Sequence, residues 1–377
     1  LRYCSLPELL KEFFIRGKRS LVVTGTHGKT TTTSLLAWVF EHSGRNPSFL
    51  IGGIPSNLKQ GARFTESEWF IVEGDEYDTA FFDTRYLPEL VIVNNVEFDH
   101  ADIFDSLAAI QLSFKRLINI IPRNGLLLAN GDDPNIAPLL SVTHCPIQKF
   151  GLGSGCDQQA RQVALSENYS EFRLGETTFR IPLIGELNVR NALAVAAAAR
   201  HCGLSDSEIQ SAFSTFQGIK RRMEVRGVSG GVTVIDDFAH HPTAIRETMR
   251  ALRVKFPERR IWAIFEPRSN TTRRNVFQDE LTDALAMADG IFVAQVARLE
   301  QLAPEQRLNP EKLIATLAER GKTAFYLPGA DEIVLQIAQL ARSPDVICVF
   351  SNGGFGGIND KLLNAFPQLR ATESSAA

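Results

Sequence analysis

A chain of 377 residues with 44% hydrophobic and 22% charged side chains has the balance of a globular protein, and it is too long for one ordinary core, so two domains are expected. The formal charge of −3 supplies no field that would draw the chain to nucleic acid or to an anionic membrane, and no apolar run approaches the roughly 20 residues of a membrane span. Cys4, Cys145, Cys156, Cys202 and Cys348 are odd in number, scattered and without a CxxC pair, which speaks against a disulfide framework or a zinc site and predicts reduced thiols in a cytoplasm. No basic stretch followed by an apolar core announces a secretory signal.

In chain order, Ser5 to Arg16 predict a short amphipathic helix with Leu6, Leu9, Leu10 and Phe13 on its inner side. Leu21 to Thr24 predict a buried strand, Gly25-Thr26-His27-Gly28-Lys29-Thr30 a glycine loop, and the residues beyond it a helix whose apolar face is Leu35, Leu36, Val39 and Phe40. A strand that runs through glycines into a helix N-terminus aims a row of backbone N–H groups, and the positive end of the helix dipole, at one spot. That spot suits a polyphosphate, with Lys29 reaching the β- and γ-phosphates and the Thr30 hydroxyl holding Mg²⁺, although the spacing is the shorter GxxGKT.

Further strands are expected at Phe49 to Ile51, Trp69 to Val72, Leu90 to Val93 and Gly125 to Ala129, with a helix over Leu107 to Ile121. The strand at Trp69 delivers Glu73, Asp75, Glu76 and Asp78, which form either a solvated loop or a cation site. The strand at Leu90 delivers Asn94, Asn95, Glu97 and then Asp99-His100-Ala101-Asp102. Ligands of parallel α/β sheets collect beyond the carboxyl ends of the strands, so these clusters are expected to converge on the phosphate loop. Oxygen donors with one imidazole suit Mg²⁺ or Mn²⁺ bridging to phosphate better than structural zinc.

From about Ile147 to Ile184, short alternating segments predict a small antiparallel meander added to the main sheet. Gly185 to Asn191 open an alanine-rich helix, where an asparagine ordinarily serves as a cap. A domain boundary is expected within Phe216 to Val225, dividing the chain into 1–218 and 219–377. Beyond it, strands at Val232 to Ile235, Ile261 to Phe265, Gly290 to Ala294, Thr323 to Tyr326 and Val346 to Phe350 alternate with helices, which predicts a parallel, Rossmann-like sheet. Three of its strand ends carry polar residues: Asp237 with His240 and His241, then Glu266-Pro267-Arg268-Ser269-Asn270-Thr271, then Ser351 to Gly357. The last is expected at the end of the sheet and lacks the order of a dinucleotide fingerprint.

The loop GTHGKTTT is similar to the central-domain ATP loop of the Mur ligases, the ATP-dependent amide-bond-forming enzymes of bacterial peptidoglycan synthesis. The blocks EGDEYDTAFFDTR, NNVEFDHADIFDSLAAIQ, GVTVIDDFAHHPTAI, EPRSNT and SNGGFGGI resemble one branch of that family. This branch joins the recycled tripeptide L-alanyl-γ-D-glutamyl-meso-diaminopimelate to UDP-N-acetylmuramate. The branch that adds L-alanine instead has a His-Arg-containing stretch in place of EPRSNT and ranks second. The resemblance implies an α/β fold, a P-loop ATPase domain followed by a Rossmann-like acceptor domain, and a cleft that closes over ATP. It further implies ATP as co-substrate, Mg²⁺, an acyl-phosphate intermediate, a cytoplasmic enzyme that is a monomer or weak homodimer, and neither nucleic acid nor membrane as partner.

Residue by residue, it implies that Gly25, Thr26, His27, Gly28, Lys29, Thr30 and Thr31 bind the phosphates and that Thr30, Glu76 and His100 ligate magnesium. Asn188 and Asn191 would touch the adenine, Arg222 the γ-phosphate and Asp237 the nucleotide. His240, His241, Arg268 and Asn270 would face the peptide, with His240 or His241 as general base. Catalysis would fall to Lys29, Glu76, His100 and Arg222. Leu187 stands where family members commonly have His, and Lys115, at the spacing of the carbamylated lysine of several Mur ligases, reads as an ordinary surface lysine. The family's UDP-sugar domain is expected to precede residue 1. A truncated ATP-binding remnant that does not ligate is the alternative from another class.

Overall fold

The structure, a computed structural model, describes residues 3–77 and 87–373, with side chains to Phe366; Asp78 of the acidic cluster and the rest of its block, to Arg85, lie outside the described residues. The chain forms two compact units, Leu1–Lys220 and Arg221–Ala377.

The first unit opens with helix α1 (Leu6–Leu10), which widens into a π-helical turn over Lys11–Ile15. The expected inner stripe is corrected here. The Arg16 amide bonds back five residues to the Lys11 carbonyl, and this wider turn brings Leu10 and Ile15 inward while Leu6, Leu9 and Phe13 face solvent. Strand β1 (Arg19–Thr24) and helix α2 (Lys29–His42) follow, then β2 (Ser48–Leu50), β3 (Ala62–Arg63), β4 (Trp69–Glu73), β5 (Leu90–Val93), α3 (Leu107–Asn119), β6 (Leu126–Asn130) and β7 (Ile147–Gly151). The expected meander is β8 (Gln158–Leu165), β9 (Ser170–Leu174) and β10 (Thr177–Ile181), and helices α4 (Glu186–His201) and α5 (Asp206–Ser214) close the unit.

All ten strands make one sheet in the order β10-β9-β8-β7-β6-β5-β1-β4-β2-β3, parallel from β8 to β2 and antiparallel at both margins. Leu21 and Val23 of β1 enter the core under α2, α4 and α5, whereas Val22 enters the core under α1 and α3. Neighbouring β4, β5 and β6 alternate in the same way, so each central strand is apolar on both faces and reads as an uninterrupted hydrophobic run. Polar side chains stand only toward the ends of these four strands, Arg19, Ser20 and Thr24 on β1, Glu73 on β4 and Asn130 on β6, so chemistry is confined there.

The second unit contains β11 (Glu224–Ser229), β12 (Val232–Asp237), α6 (Pro242–Lys255), β13 (Ile261–Phe265), α7 (Gln278–Leu285), β14 (Gly290–Ala294), α8 (Pro310–Glu319), β15 (Thr323–Leu327), α9 (Ala330–Leu340), β16 (Val346–Phe350) and α10 (Ile358–Glu373). Its sheet runs β11-β12-β16-β13-β14-β15, parallel except for β11, an edge strand that sequence reading missed. The expectation that the glycine-rich segment ends the sheet is corrected as well: β16 is last in the chain, yet it sits between β12 and β13. Among the described residues no helix is long and apolar enough to cross a membrane, and all five cysteines are unpaired.

Candidate active site

The glycine loop of the first unit is held from below by the end of β5. Asn95 accepts the His27 N–H at 2.7 Å and donates to the His27 carbonyl at 3.0 Å, while its own carbonyl accepts from Thr26 at 3.1 Å. Thr26 continues the latch, since its hydroxyl accepts the Glu97 N–H at 2.8 Å, and His27 Nε2 lies 3.3 Å from Glu97 Oε2. Two glycines are required by space as well as by backbone. A Cβ on Gly25 (φ 132°) would stand 2.9 Å from the Asn95 nitrogen, and one on Gly28 (φ 80°) would stand 2.6 Å from Asn191 Oδ1. Gly28 is the N-cap of α2 and supplies no side-chain cap, so the backbone N–H groups of the first turn, Lys29 to Thr31, point out of the helix end.

Gly28 thereby touches the helix that carries the two asparagines expected at an adenine. Asn188 and Asn191 are adjacent, with the Asn191 amide donating to Asn188 Oδ1 at 3.3 Å and Asn188 Nδ2 donating to the Ile184 carbonyl at 2.9 Å. Gly185, not an asparagine, caps α4.

Lys29 Nζ donates to Glu76 Oε1 at 2.9 Å and Oε2 at 2.7 Å and lies 4.0 Å from Asp75. Burial works against the ammonium, but Glu76 and Asp75 outweigh it and hold the lysine above its ordinary pKa. Glu76 is 1% exposed, and burial pushes its carboxyl up while Lys29 and His100 pull it further down, leaving it below the usual range. His100, whose φ is 55°, sets Nε2 3.5 Å from Glu76 Oε1; burial opposes its charge, and Glu76 and Asp99 overcome that and raise its pKa. Its ring meets Tyr77 edge-on at 5.0 Å, and the Tyr77 hydroxyl donates to Asp102.

Asp75, Glu76 and His100 each present a ligand atom within 4.8 Å of the others. Of the three residues expected at magnesium, Glu76 and His100 are therefore together, whereas the Thr30 hydroxyl donates to Glu73 Oε1 at 2.9 Å. The other Glu73 oxygen accepts the Gly52 N–H at 2.6 Å. Sequence reading named Glu73 and Asp75 only as members of an acidic run, and it left Asn95 without a role. Carboxylates, one hydroxyl and one imidazole beside a lysine are a donor set that fits a hard divalent cation next to phosphate. Lys115 lies half-buried on α3.

In the second unit the residues expected at the ligand divide. Asp237 is 4% exposed, and both of its oxygens are taken by backbone: Oδ1 accepts from Ala239 and Oδ2 from Met223, each at 2.8 Å. Burial pushes this carboxyl up more than Arg222 and the two amides lower it. It fixes the chain around Arg222, which is flanked by the left-handed residues Arg221 (φ 61°) and Met223 (φ 49°) and stacks on Phe238 at 4.8 Å.

His241 caps α6, its Nδ1 accepting the Thr243 N–H at 3.2 Å, and it is 4% exposed with its ring edge-on to Phe277. His240 is half-buried with Nδ1 3.3 Å from the Phe238 carbonyl. Arg268 is exposed, lies 3.9 Å from Glu266, and packs over Gly353, where a Cβ would come within 2.7 Å of Arg268 Cδ. Glu266 is braced in turn by the Ser351 hydroxyl, so the glycine-rich end of β16 supports the arginine.

Comparison with known proteins gives the family. The profile described as the Mur ligase middle domain matches residues 23–199, and that described as the Mur ligase, glutamate ligase domain matches 221–353. The chain is 40% identical over 372 residues to the UDP-N-acetylmuramate–L-alanyl-gamma-D-glutamyl-meso-2,6-diaminoheptandioate ligase of Escherichia coli, covering 96% of this chain and 79% of that protein. It is 41% identical to the Haemophilus influenzae protein of the same name, covering 97% and 80%. The crystal structure of a murein peptide ligase from Psychrobacter arcticus superposes with a TM-score of 0.70 at 33% identity, covering 97% of this chain and 81% of that one. With both of its units matched, the chain belongs to the Mur ligase family and is an ATP-dependent ligase.

Proposed function

We propose that this ligase joins L-alanyl-γ-D-glutamyl-meso-diaminopimelate to UDP-N-acetylmuramate in peptidoglycan recycling, in the cytoplasm. The observation that carries the reading is the Lys29–Glu76–His100 cluster, built on the buried Glu76 carboxylate, beside the N-terminus of α2. The names of relatives about 40% identical over nearly the whole chain supply the substrates.

A carboxylate acylates poorly because its leaving group would be oxide; phosphorylation by ATP makes an acyl phosphate that releases phosphate instead. An anionic nucleophile must approach an anionic polyphosphate, so fixed positive charge is the main requirement. The amides of Lys29 to Thr31 cradle the phosphates, and Lys29 exchanges the Glu76 carboxylate for phosphate oxygens. Arg222 serves the γ-phosphate, and Asn188 and Asn191 serve the adenine. Thr30, Glu76 and His100, with Asp75 beside the last two, would hold Mg²⁺, which when bound neutralises developing charge on the phosphates. With Nδ1–H donating to the Phe238 carbonyl, the basic nitrogen of neutral His240 is Nε2, and His240 serves as the general base for the attacking amine. The capping bond occupies His241 Nδ1, and this histidine orients α6 beside its neighbour.

Phosphate release from ATP in the presence of UDP-N-acetylmuramate tests the assignment. The tripeptide is expected to support turnover on the order of 10²-fold better than L-alanine. Preference for L-alanine would transfer the chain to the other branch, and release that ignores both acceptors would make it a non-ligating remnant. Arg268→Ala should raise KM for the tripeptide on the order of tenfold or more, the scale of a charge-assisted hydrogen bond, with KM for ATP nearly unchanged. Equal losses for both substrates would remove Arg268 from the acceptor.

A further inference from the structure

The loop after β13 contains a second arginine that the proposed reaction does not use. Arg273 is 9% exposed and is anchored through its backbone, its N–H donating to Ser269 and its carbonyl accepting from Leu308. Its Nη2 donates to Asn270 Oδ1 at 2.6 Å, and its Nη1 reaches the Arg298 carbonyl and Gln301 Oε1, both at 3.4 Å. Its Nε is shielded from solvent and meets no acceptor. All these partners are neutral, and no ion pair among the described residues includes this guanidinium. An arginine cannot shed its charge, and burying a cation without an anion is costly unless something else supplies the counter-charge.

The proposed acceptor is rich in that counter-charge. A γ-linked glutamyl residue leaves its α-carboxylate free and a diaminoheptanedioate carries two, so the peptide brings three carboxylates where Arg268 pairs with one. Arg273 also governs a neighbour. A guanidinium only donates, so the Asn270 atom it meets is the oxygen, and the Asn270 NH₂ group is turned away from the arginine on an exposed residue.

We infer that Arg273 is a positioning residue of the acceptor site, which locks the Asn270 amide with its donors outward and lends this spot the positive charge that selects a second carboxylate of the peptide. The inference rests on the proposed ligase activity.

Steady-state kinetics of Arg273→Met, Arg273→Lys and Asn270→Asp, with UDP-N-acetylmuramate, ATP and the tripeptide, test it. Arg273→Met should raise KM for the tripeptide on the order of tenfold while kcat and KM for ATP stay within about twofold. Arg273→Lys, which keeps the charge and loses the fork, should fall between. Asn270→Asp gives Arg273 the carboxylate it lacks, so thermal stability should hold or rise while KM for the tripeptide rises, a split that a purely structural arginine would not produce. An unchanged tripeptide KM in Arg273→Met or Asn270→Asp overturns the inference, as does an equal loss for both substrates in Arg273→Met. If Arg273→Met does not fold, Asn270→Asp decides alone. Wild-type protein that releases no phosphate with the tripeptide overturns the ligase reading itself, which separates the two failures.

Discussion

Lys29→Ala is expected to lower kcat on the order of 10³-fold, because it removes the lysine we propose for the phosphates in a reaction whose catalysis is mainly electrostatic. The same change strands Glu76, which is 1% exposed and whose carboxylate Lys29 contacts at 2.7 and 2.9 Å. Removing one partner of a buried ion pair costs about 3 kcal/mol, so the variant should also melt earlier at neutral pH. The sign with pH follows from Glu76. In the wild type its pKa lies below the ordinary carboxylate value, so its contribution is present above that value and lost as pH falls through the lowered one. Without Lys29 burial acts with less opposition, the carboxyl takes up a proton more readily, and the difference in melting between variant and wild type should shrink as pH falls from neutral toward the ordinary carboxylate range. Retained turnover would remove the phosphate role of Lys29, and a pH-independent difference in melting would remove the buried-pair argument.

Asp237→Ala should act first on stability. The Met223 and Ala239 amides lose their acceptors in a buried setting, at about 1–3 kcal/mol each. A combined cost of about 3 kcal/mol corresponds to a fall of about 6–12 °C in the melting of a unit of this size. Because the same carboxylate fixes the turn around Arg222, KM for ATP should rise as a consequence. A variant that melts like the wild type yet binds ATP poorly would mean that Asp237 touches the nucleotide directly. Calorimetry on the two proteins decides between them.

The central strands were legible because each is apolar on both faces, as with Leu21, Val22 and Val23, and a short run of that kind bounded by turn residues suits a strand covered on both sides. Edge strand β11 was not, because Arg226 and a bulge between Val225 and Gly227 break its alternation. The glycine loop between β1 and α2 was legible because glycine, lysine and threonine sit in fixed order between a strand and a helix. Within the acidic run nothing local distinguishes Glu73 from Glu76; only the fold puts one on Thr30 and the other on Lys29. Asp237 shows the converse limit: an aspartate at a strand end can face a ligand or satisfy its own backbone, and the sequence is the same in both cases. Strand order escapes local reading as well, since β16 finds its neighbours across the whole length of the second unit.

That placement bears on how the molecule is made. β12 and β13 do not pair with each other; both pair with β16, at Thr233 to Asp237 and Ile261 to Phe265. Until residues 346–350 leave the ribosome, the nascent second unit is two half-sheets with a missing middle, each showing a bare edge, while the first unit has all its strands in hand. Synthesis therefore exposes the second unit to mispairing for longest, and a stop anywhere before β16 deletes the keystone rather than trimming a margin.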